Sequence, residues 1–245
     1  MKLGDRHGRR TIACREARSD RLSCYQPEMT LLPDDAGLDL VHTRDYETKI
    51  YQLSEDELLV RGAVSDRKPP GLYVLGDPDQ LEIHQMQLEL LVSLPGLEIK
   101  QAKVLFESHP HSKCPIIAAD YQKLVGLSIA RGFTRKIRDL FGGPNGCTHT
   151  NALLQALAPA AVQAVWSIMV RNQRNAGKTQ RNLTAEERES RIRRNANTCH
   201  LWADEGEHVA DLRAGRMHEY PLIPVRKRLR SLGRDEMEWP DRPRS

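Results

Sequence analysis

Hydrophobic and polar residues alternate through the first half of the chain, as they do in strands with one buried face. Two alternating segments, Tyr46–Ile50 and Leu58–Val64, flank the acidic turn Ser54–Glu57. A longer alternating segment follows at Ile83–Val92, and another covers 97–107. Since short polar turns join these segments, they predict an antiparallel sheet with one face against a core.

Helical spacing replaces this alternation in the second half of the chain. An apolar stripe runs along Phe133–Phe141 and is expected to end at Gly142 and Gly143, a composition typical of helix C-caps. The most apolar segment, Leu153–Met169, predicts a buried central helix that Pro159 kinks or splits. The predicted fold class is therefore α+β, an antiparallel sheet from the first half packed by helices from the second half.

The polar ends of the chain suggest three regions. Residues 1–42 lack periodicity and predict a mobile polar leader. Residues 43–205 are expected to form a single α+β domain, in which Thr184 and Glu187 match a capping box that opens a charged, outward-facing helix. Residues 206–245 are rich in Pro and Arg and predict an irregular tail.

Composition narrows the class of protein. Hydrophobic residues make up 39% of the chain, and no run of 18 apolar residues predicts a transmembrane helix. The basic N-terminus lacks the apolar core of a secretory signal. Five widely spaced cysteines form an odd set unlike a secreted disulfide framework, so we expect reduced thiols and a cytoplasmic location.

Basic residues are concentrated in two segments, 171–194 and 226–234, which contribute most of the net charge of +4. Such segments suit contact with nucleic acid or an acidic partner, although a solvated surface is the commoner cause. Aromatic residues are only 5% of the chain, so stacking platforms for bases are scarce. A non-enzymatic basic binding module therefore remains one hypothesis, and the partner is expected to be an unidentified small molecule or protein.

The strongest candidate chemistry lies between the two predicted helices, where Cys147 and His149 follow a glycine-rich turn. Thiolate and imidazole are the ligands that zinc prefers, and both also bind iron. A cysteine at a helix start has a lowered pKa, which favours metal binding or nucleophilic attack.

Further cysteines and histidines extend this metal hypothesis. Cys114, Cys147, His149 and Cys199 would supply the four ligands of a structural zinc site, although their spacing does not establish that they converge. His84 lies on the apolar side of its strand, where it is either a further ligand or a hydrogen-bonded core residue. Zinc is favoured over an iron–sulfur cluster.

A thiol enzyme is the alternative interpretation of the same residues. Cys147 would be the nucleophile and either His149 or His84 the general base, but the sequence indicates no third residue to orient that base. The motifs of nucleotide-binding loops, serine hydrolases and HExxH metalloproteases are absent from the sequence. The sequence thus leaves open whether the protein is an enzyme.

Two family resemblances start from these residues. The order Cys-Pro, Leu-x-Gly, Gly-Phe-Thr, Gly-Gly and Gly-Cys-Thr-His between Cys114 and His149 resembles an uncharacterised bacterial family with a domain of unknown function. That resemblance covers about Asp45 to Trp202 and implies no activity. A looser one is to U-type iron–sulfur scaffold proteins, which implies Cys114, Cys147 and Cys199 as ligands of a cluster or of zinc.

Overall fold

The structure is a computed structural model, and it describes residues 32–33, 35–130, 132–177, 184–216 and 222–235. Its contacts divide the chain into two units, Met1–Asp39 and Leu40–Ser245. Every helix and strand discussed below belongs to the second unit. Most of the predicted leader, including Cys14 and Cys24, lies outside the described residues, so its mobility stays a prediction.

Four antiparallel strands form a meander in which each strand pairs with the next one in the chain. They are β1 Thr43–Gln52, β2 Glu57–Lys68, β3 Leu81–Ser93 and β4 Glu98–Ser108, in the order β1-β2-β3-β4. One cross-strand row joins Ile50, Val60, Leu90 and Ala102. The predicted antiparallel sheet and the predicted α+β class are both confirmed.

One face of this sheet forms the main hydrophobic core. Leu58, Val60 and Val64 of β2 are fully buried, and every second residue of β3 from Met86 to Val92 is buried beside them. The same alternation along β2 brings Asp66 onto this face, where its side chain is buried. A charged residue at the end of an apolar row requires compensating partners.

Helices from the second half of the chain cover the core face. A 3-10 helix, Cys114–Leu124, follows β4, and α1 (Phe133–Phe141) precedes the long helix α2 (Thr148–Asn175). Helix α2 lies close to the sheet at Gly62, where an added Cβ would be only 2.9 Å from Leu157 Cδ1.

Pro159 was predicted to kink or split the central helix, and it does not split it. Helix α2 runs through Pro159 as one element, although a proline removes one internal hydrogen bond. Leu157 and Ala161, on either side of the proline, are completely buried in the same core. Packing into one core thus accompanies the continuation of the helix through the proline.

The polar C-terminal third contains more helix than its composition suggests. Helix α3 (Ala185–Asn195) begins at the predicted capping box, which is confirmed because Thr184 and Glu187 exchange side-chain-to-backbone hydrogen bonds. Two further helices, α4 (Glu207–Arg213) and α5 (Ile223–Ser231), lie in the segment predicted to be irregular.

The prediction of an irregular tail is wrong for these two segments, and a small second core explains why. Val209 and Leu212 of α4 pack with Ile192 of α3, and Trp202 lies against this cluster. The few apolar residues of this region are therefore spaced to meet one another.

Helix α2 is, within the described residues, the one helix whose length and composition alone would allow it to cross a membrane. Its first half supplies Leu153, Leu154 and Leu157 to the core. These three residues pack as the buried stripe of a core helix does. A cytoplasmic location stays a prediction.

Candidate functional site

The candidate site begins as a row of polar side chains across three strands. Arg44 of β1 is the pairing partner of Asp66 of β2, and Asp66 is the pairing partner of His84 of β3. The pairing register shifts just after Asp66, between Asp66 and Arg67. Such bulges re-aim side chains at the rims of sheets. The row lies at the end of the sheet where β2 finishes and β1 and β3 begin.

Asp66 is the centre of this row. Its side chain is only 4% exposed, and Arg44 Nε and Nη2 donate to Oδ1 and Oδ2 at 2.5 and 2.6 Å. His42 Nε2 lies 3.6 Å from Oδ1. The Arg44 hydrogen bonds, opposed by burial, lower the pKa of Asp66 to about 2. Asp66 is therefore ionised at neutral pH, and its two oxygens act only as acceptors.

Helix α2 contributes His149 from above the sheet. His149 Nε2 lies 3.1 Å from Asp66 Oδ2, and the ring stacks on His84 with centroids 4.0 Å apart. Because a carboxylate cannot donate, Nε2 carries the hydrogen in this contact and Nδ1 faces away from Asp66. The His149 pKa is raised, first by the contact with Cys147 and further by the charge of Asp66, against the effect of burial.

His84 has the opposite tendency. Burial, followed by the nearby charge of His149, lowers the pKa of His84, although Asp66 Oδ2 lies 3.4 Å from its Nδ1. The stacked pair therefore consists of a neutral His84 and a more basic His149 at neutral pH. The two imidazoles thus differ in the direction of their pKa shift, which makes His149 the better base.

Cys147 completes the site from the N-cap position of α2. Its Sγ lies 3.7 Å from Nδ1 of His149. Burial raises the thiol pKa, but the imidazole of His149 and the backbone amides of Thr150 and His149 outweigh it, and the pKa falls to about 7. Amides at a helix start carry the positive end of the helix dipole, which favours a thiolate.

A buried polar network fixes the backbone at Cys147. The Tyr121 hydroxyl accepts a hydrogen bond from the Cys147 amide at 2.9 Å and donates one to Asn151 Oδ1 at 2.9 Å. Asn151 Nδ2 in turn donates to the Phe141 carbonyl at 2.6 Å. Gly146 passes so close to that carbonyl that an added Cβ would lie 2.4 Å from the oxygen.

The structure brings together three of the five residues predicted for the site, namely His84, Cys147 and His149. Cys114 begins the 3-10 helix and packs against the main core, whereas Cys199 is exposed and precedes a short 3-10 helix, His200–Trp202. Among the described residues, neither cysteine belongs to a set of three or more ligand atoms within 4.8 Å of one another. The structure therefore does not have the four-ligand arrangement of Cys114, Cys147, His149 and Cys199.

Two central residues, Asp66 and Arg44, are absent from the sequence-based set. Asp66 continues the apolar alternation of Leu58, Val60 and Val64. A charged residue on the core face of this strand was the feature of the sequence that could have identified the site. Arg44 likewise precedes Tyr46 by two residues, which places it on the same side of β1. Alternation that ends in a charged residue is therefore informative when the strand is otherwise buried.

A group that could hold a metal ion is present at the same place. Asp66, His84 and His149 each offer one ligand atom, and these atoms all lie within 4.8 Å of one another. Two imidazoles and a carboxylate suit zinc or a non-haem iron with open positions. Asp66 and His84 come from neighbouring strands and His149 from α2, so folding is needed to assemble the group.

Comparison with known proteins finds a family model that matches the central part of the chain. Residues 42–163 match DUF2889, a protein family of unknown function. This domain contains the sheet, the first part of α2 and the whole of the site, whereas Cys199 lies outside it. The resemblance to an uncharacterised family is thus supported in its coarse form, and the iron–sulfur resemblance is not confirmed. No curated protein and no solved structure matches the chain.

Proposed function

We propose that the DUF2889 domain of this protein is a thiol-dependent enzyme acting on carbonyl compounds. Cys147 is the nucleophile, His149 the general acid and base, and Asp66 the residue that orients His149. The supporting observation is a continuous chain of contacts: Cys147 Sγ lies 3.7 Å from His149 Nδ1, and His149 Nε2 lies 3.1 Å from Asp66 Oδ2. A nucleophile, a base and an orienting group in this order are the requirement for such catalysis.

Acyl transfer is the reaction class that this arrangement suits. The Cys147 thiolate attacks the carbonyl carbon of an ester or thioester, a carbon–sulfur bond forms, and the carbonyl oxygen takes up the electron pair. On collapse, the leaving group departs with the proton held at His149 Nδ1. Water then attacks the acyl group and passes a proton to Nδ1, and the Cys147 thiolate is released with the acid as product.

Asp66 and Arg44 prepare this chemistry without touching the substrate. The contact of Asp66 with His149 Nε2 fixes the ring so that Nδ1 faces the thiol, and it stabilises the imidazolium that forms. Arg44 holds both oxygens of Asp66, so the carboxylate cannot rotate away. The Tyr121 hydroxyl holds the Cys147 amide and thereby the start of α2.

Covalent trapping of the acyl group tests this proposal. Purified protein is mixed with p-nitrophenyl acetate, and the acetylated residue is located by peptide mass spectrometry. We expect one acetyl group at Cys147 and loss of turnover in Cys147→Ser, while Cys114→Ser, a matched exchange of a partly buried thiol, turns over like the wild type. Acetylation elsewhere, or unchanged turnover in Cys147→Ser, would contradict the proposal.

A metal centre is the second candidate, because Asp66, His84 and His149 lie close enough to share one ion. Zinc suits this set, with Cys147 as a neighbouring thiolate; an iron–sulfur cluster is less suited, since of the described cysteines only Cys147 lies here. The Arg44 guanidinium, bound to both oxygens of Asp66, opposes a second cation. For this reason we rank the metal centre below the thiol enzyme.

Elemental analysis of untagged protein separates the two candidates. A metal centre predicts about one zinc per chain and its loss in His84→Gln, because His84 is then a ligand. The thiol enzyme predicts that His84→Gln keeps acetylation at Cys147, since His84 stacks on the base and contacts Asp66 but takes no part in the proposed steps. Stoichiometric zinc in the wild type would replace the thiol enzyme by the metal centre as the favoured function.

A further inference from the structure

Four consecutive large apolar residues are exposed in the loop between β2 and β3. Leu72, Tyr73 and Val74 are each more than half exposed, and Leu75 is 98% exposed. Gly71 and Gly76 bracket them with positive φ, and hydrogen bonds from the Leu72 and Asp77 amides to Pro69 and Val74 carbonyls define the turns. Such a run of exposed apolar side chains usually marks a contact surface.

This loop leaves the sheet at the end that carries the candidate site. Lys68 and Leu81 form the last pair of β2 and β3, two residues beyond Asp66 on β2, a distance of about 7 Å along the strand. Leu40 and Val41, also exposed, lead into β1 at the same end and directly precede His42. We call these six side chains the apolar rim: Leu40, Val41, Leu72, Tyr73, Val74 and Leu75.

At the opposite end of the sheet, two of the three leucines in the strand turns pack in or against the core. In the turn between β3 and β4, Leu97 is buried and Leu94 packs against the main core. In the turn between β1 and β2 at the same end, Leu53 is the one large apolar residue that is exposed. Apolar turn residues thus serve the core at one end and remain available at the end with Cys147, His149 and Asp66.

We propose that the apolar rim binds the hydrocarbon part of the acyl substrate whose carbonyl carbon reacts with Cys147. The substrate class is then an ester or thioester of a hydrophobic aliphatic or aromatic acid. This inference rests on the proposed function, because the thiol of Cys147 defines where the reacting carbon lies. It adds that the six exposed side chains select the acyl group by its apolar surface, in proportion to its length.

The test uses thiol modification, so it does not require turnover. Methyl and hexyl methanethiosulfonate are applied in separate reactions; the cysteine thiolate attacks the sulfenyl sulfur, a disulfide forms and methanesulfinate leaves. Peptide mass spectrometry gives the rate at Cys147 and, as an internal reference, at the exposed Cys199. The measured quantity is the hexyl-to-methyl rate ratio at Cys147 divided by the same ratio at Cys199.

We expect this normalised ratio to be at least about tenfold in the wild type, because added methylenes gain apolar contact. In Leu72→Ser/Leu75→Ser it should fall to about one, whereas Leu53→Ser, an exposed leucine at the opposite end, should leave it unchanged. A wild-type ratio near one, or a ratio that the loop variant does not lower, would overturn the inference.

The two proposals fail in distinguishable ways. If Cys147 prefers the hexyl reagent but no acetyl group is trapped on it, the apolar rim is a ligand-binding surface and the acyl-transfer proposal is lost. If acetylation occurs at Cys147 without a preference for the hexyl reagent, acyl transfer stands and the apolar rim has no part in substrate selection.

Discussion

Replacing Asp66 by Asn tests whether a buried carboxylate holds the site together. The substitution keeps the shape of the side chain but removes its charge, while the guanidinium of Arg44 and the two imidazoles remain around it. The carboxylate is buried whereas Arg44 is 37% exposed, so the loss expected is that of the charge-assisted hydrogen bonds at Asp66. We therefore expect Asp66→Asn to fold with reduced stability.

The size of the effect follows from the pKa of Asp66. The Arg44 hydrogen bonds, opposed by burial, lower that pKa from 3.8 to about 2. At 1.36 kcal/mol per unit, the ionised carboxylate contributes about 2 kcal/mol to the free energy of unfolding at neutral pH. Because the folded-state pKa is depressed, this contribution is complete above about pH 5, is roughly halved near pH 3 and vanishes below about pH 2.

Urea denaturation of both proteins at pH 7 and at pH 3.5 measures this contribution. Asp66→Asn should be less stable by at least about 2 kcal/mol at pH 7, and the difference should narrow at the lower pH. Asp139→Asn, which removes an exposed carboxylate 3.9 Å from Arg135, should change stability by less than about 0.5 kcal/mol. An equally small effect of Asp66→Asn, or a difference independent of pH, would refute the argument.

Two further substitutions address the backbone that presents Cys147. Gly146→Ala should destabilise the protein by about 1–3 kcal/mol and slow alkylation of Cys147, because the added Cβ would lie 2.4 Å from the Phe141 carbonyl oxygen. Thermal melts should show no such loss of stability for the control Gly96→Ala, where nothing lies within 4 Å of the added Cβ. Tyr121→Phe should cost about 1–3 kcal/mol in urea denaturation, because the Cys147 amide and Asn151 Oδ1 lose their shared hydroxyl partner; a cost near zero would mean that water replaces it.

The sequence was sufficient to predict the sheet and its covering helices because their signals are local. Alternation in Leu58–Val64 and Ile83–Val92 requires one buried face, and the apolar length of Leu153–Met169 requires a partner of similar extent. The adjacent signals at Cys147 and His149 were equally local, since two residues at a helix start are neighbours in any fold.

The remaining features of the site depend on contacts between distant segments. The strand register pairs Arg44 with Asp66 and Asp66 with His84. His149 lies beside them because α2 packs on the sheet at Gly62, through Leu153 and Leu157. No sequence pattern specifies that packing.

Cys199 was predicted as a metal ligand from residue type alone. The neighbouring Cys199 and His200 resemble ligands in sequence, whereas in the structure they precede Trp202, which packs against the second core. Residue type suggested a ligand there, and the local packing provides a sufficient explanation for the segment.

The pH dependence of Cys147 alkylation tests the central claim most directly. Iodoacetamide reacts with the thiolate, so the rate, followed by peptide mass spectrometry, should rise through an apparent pKa of about 7 in the wild type. In His149→Gln, which removes the basic ring beside the thiol, the inflection should move upward toward the ordinary cysteine value of about 8.5. An inflection near 8.5 in the wild type, or one that His149→Gln leaves unchanged, would contradict a catalytic pairing of Cys147 with His149.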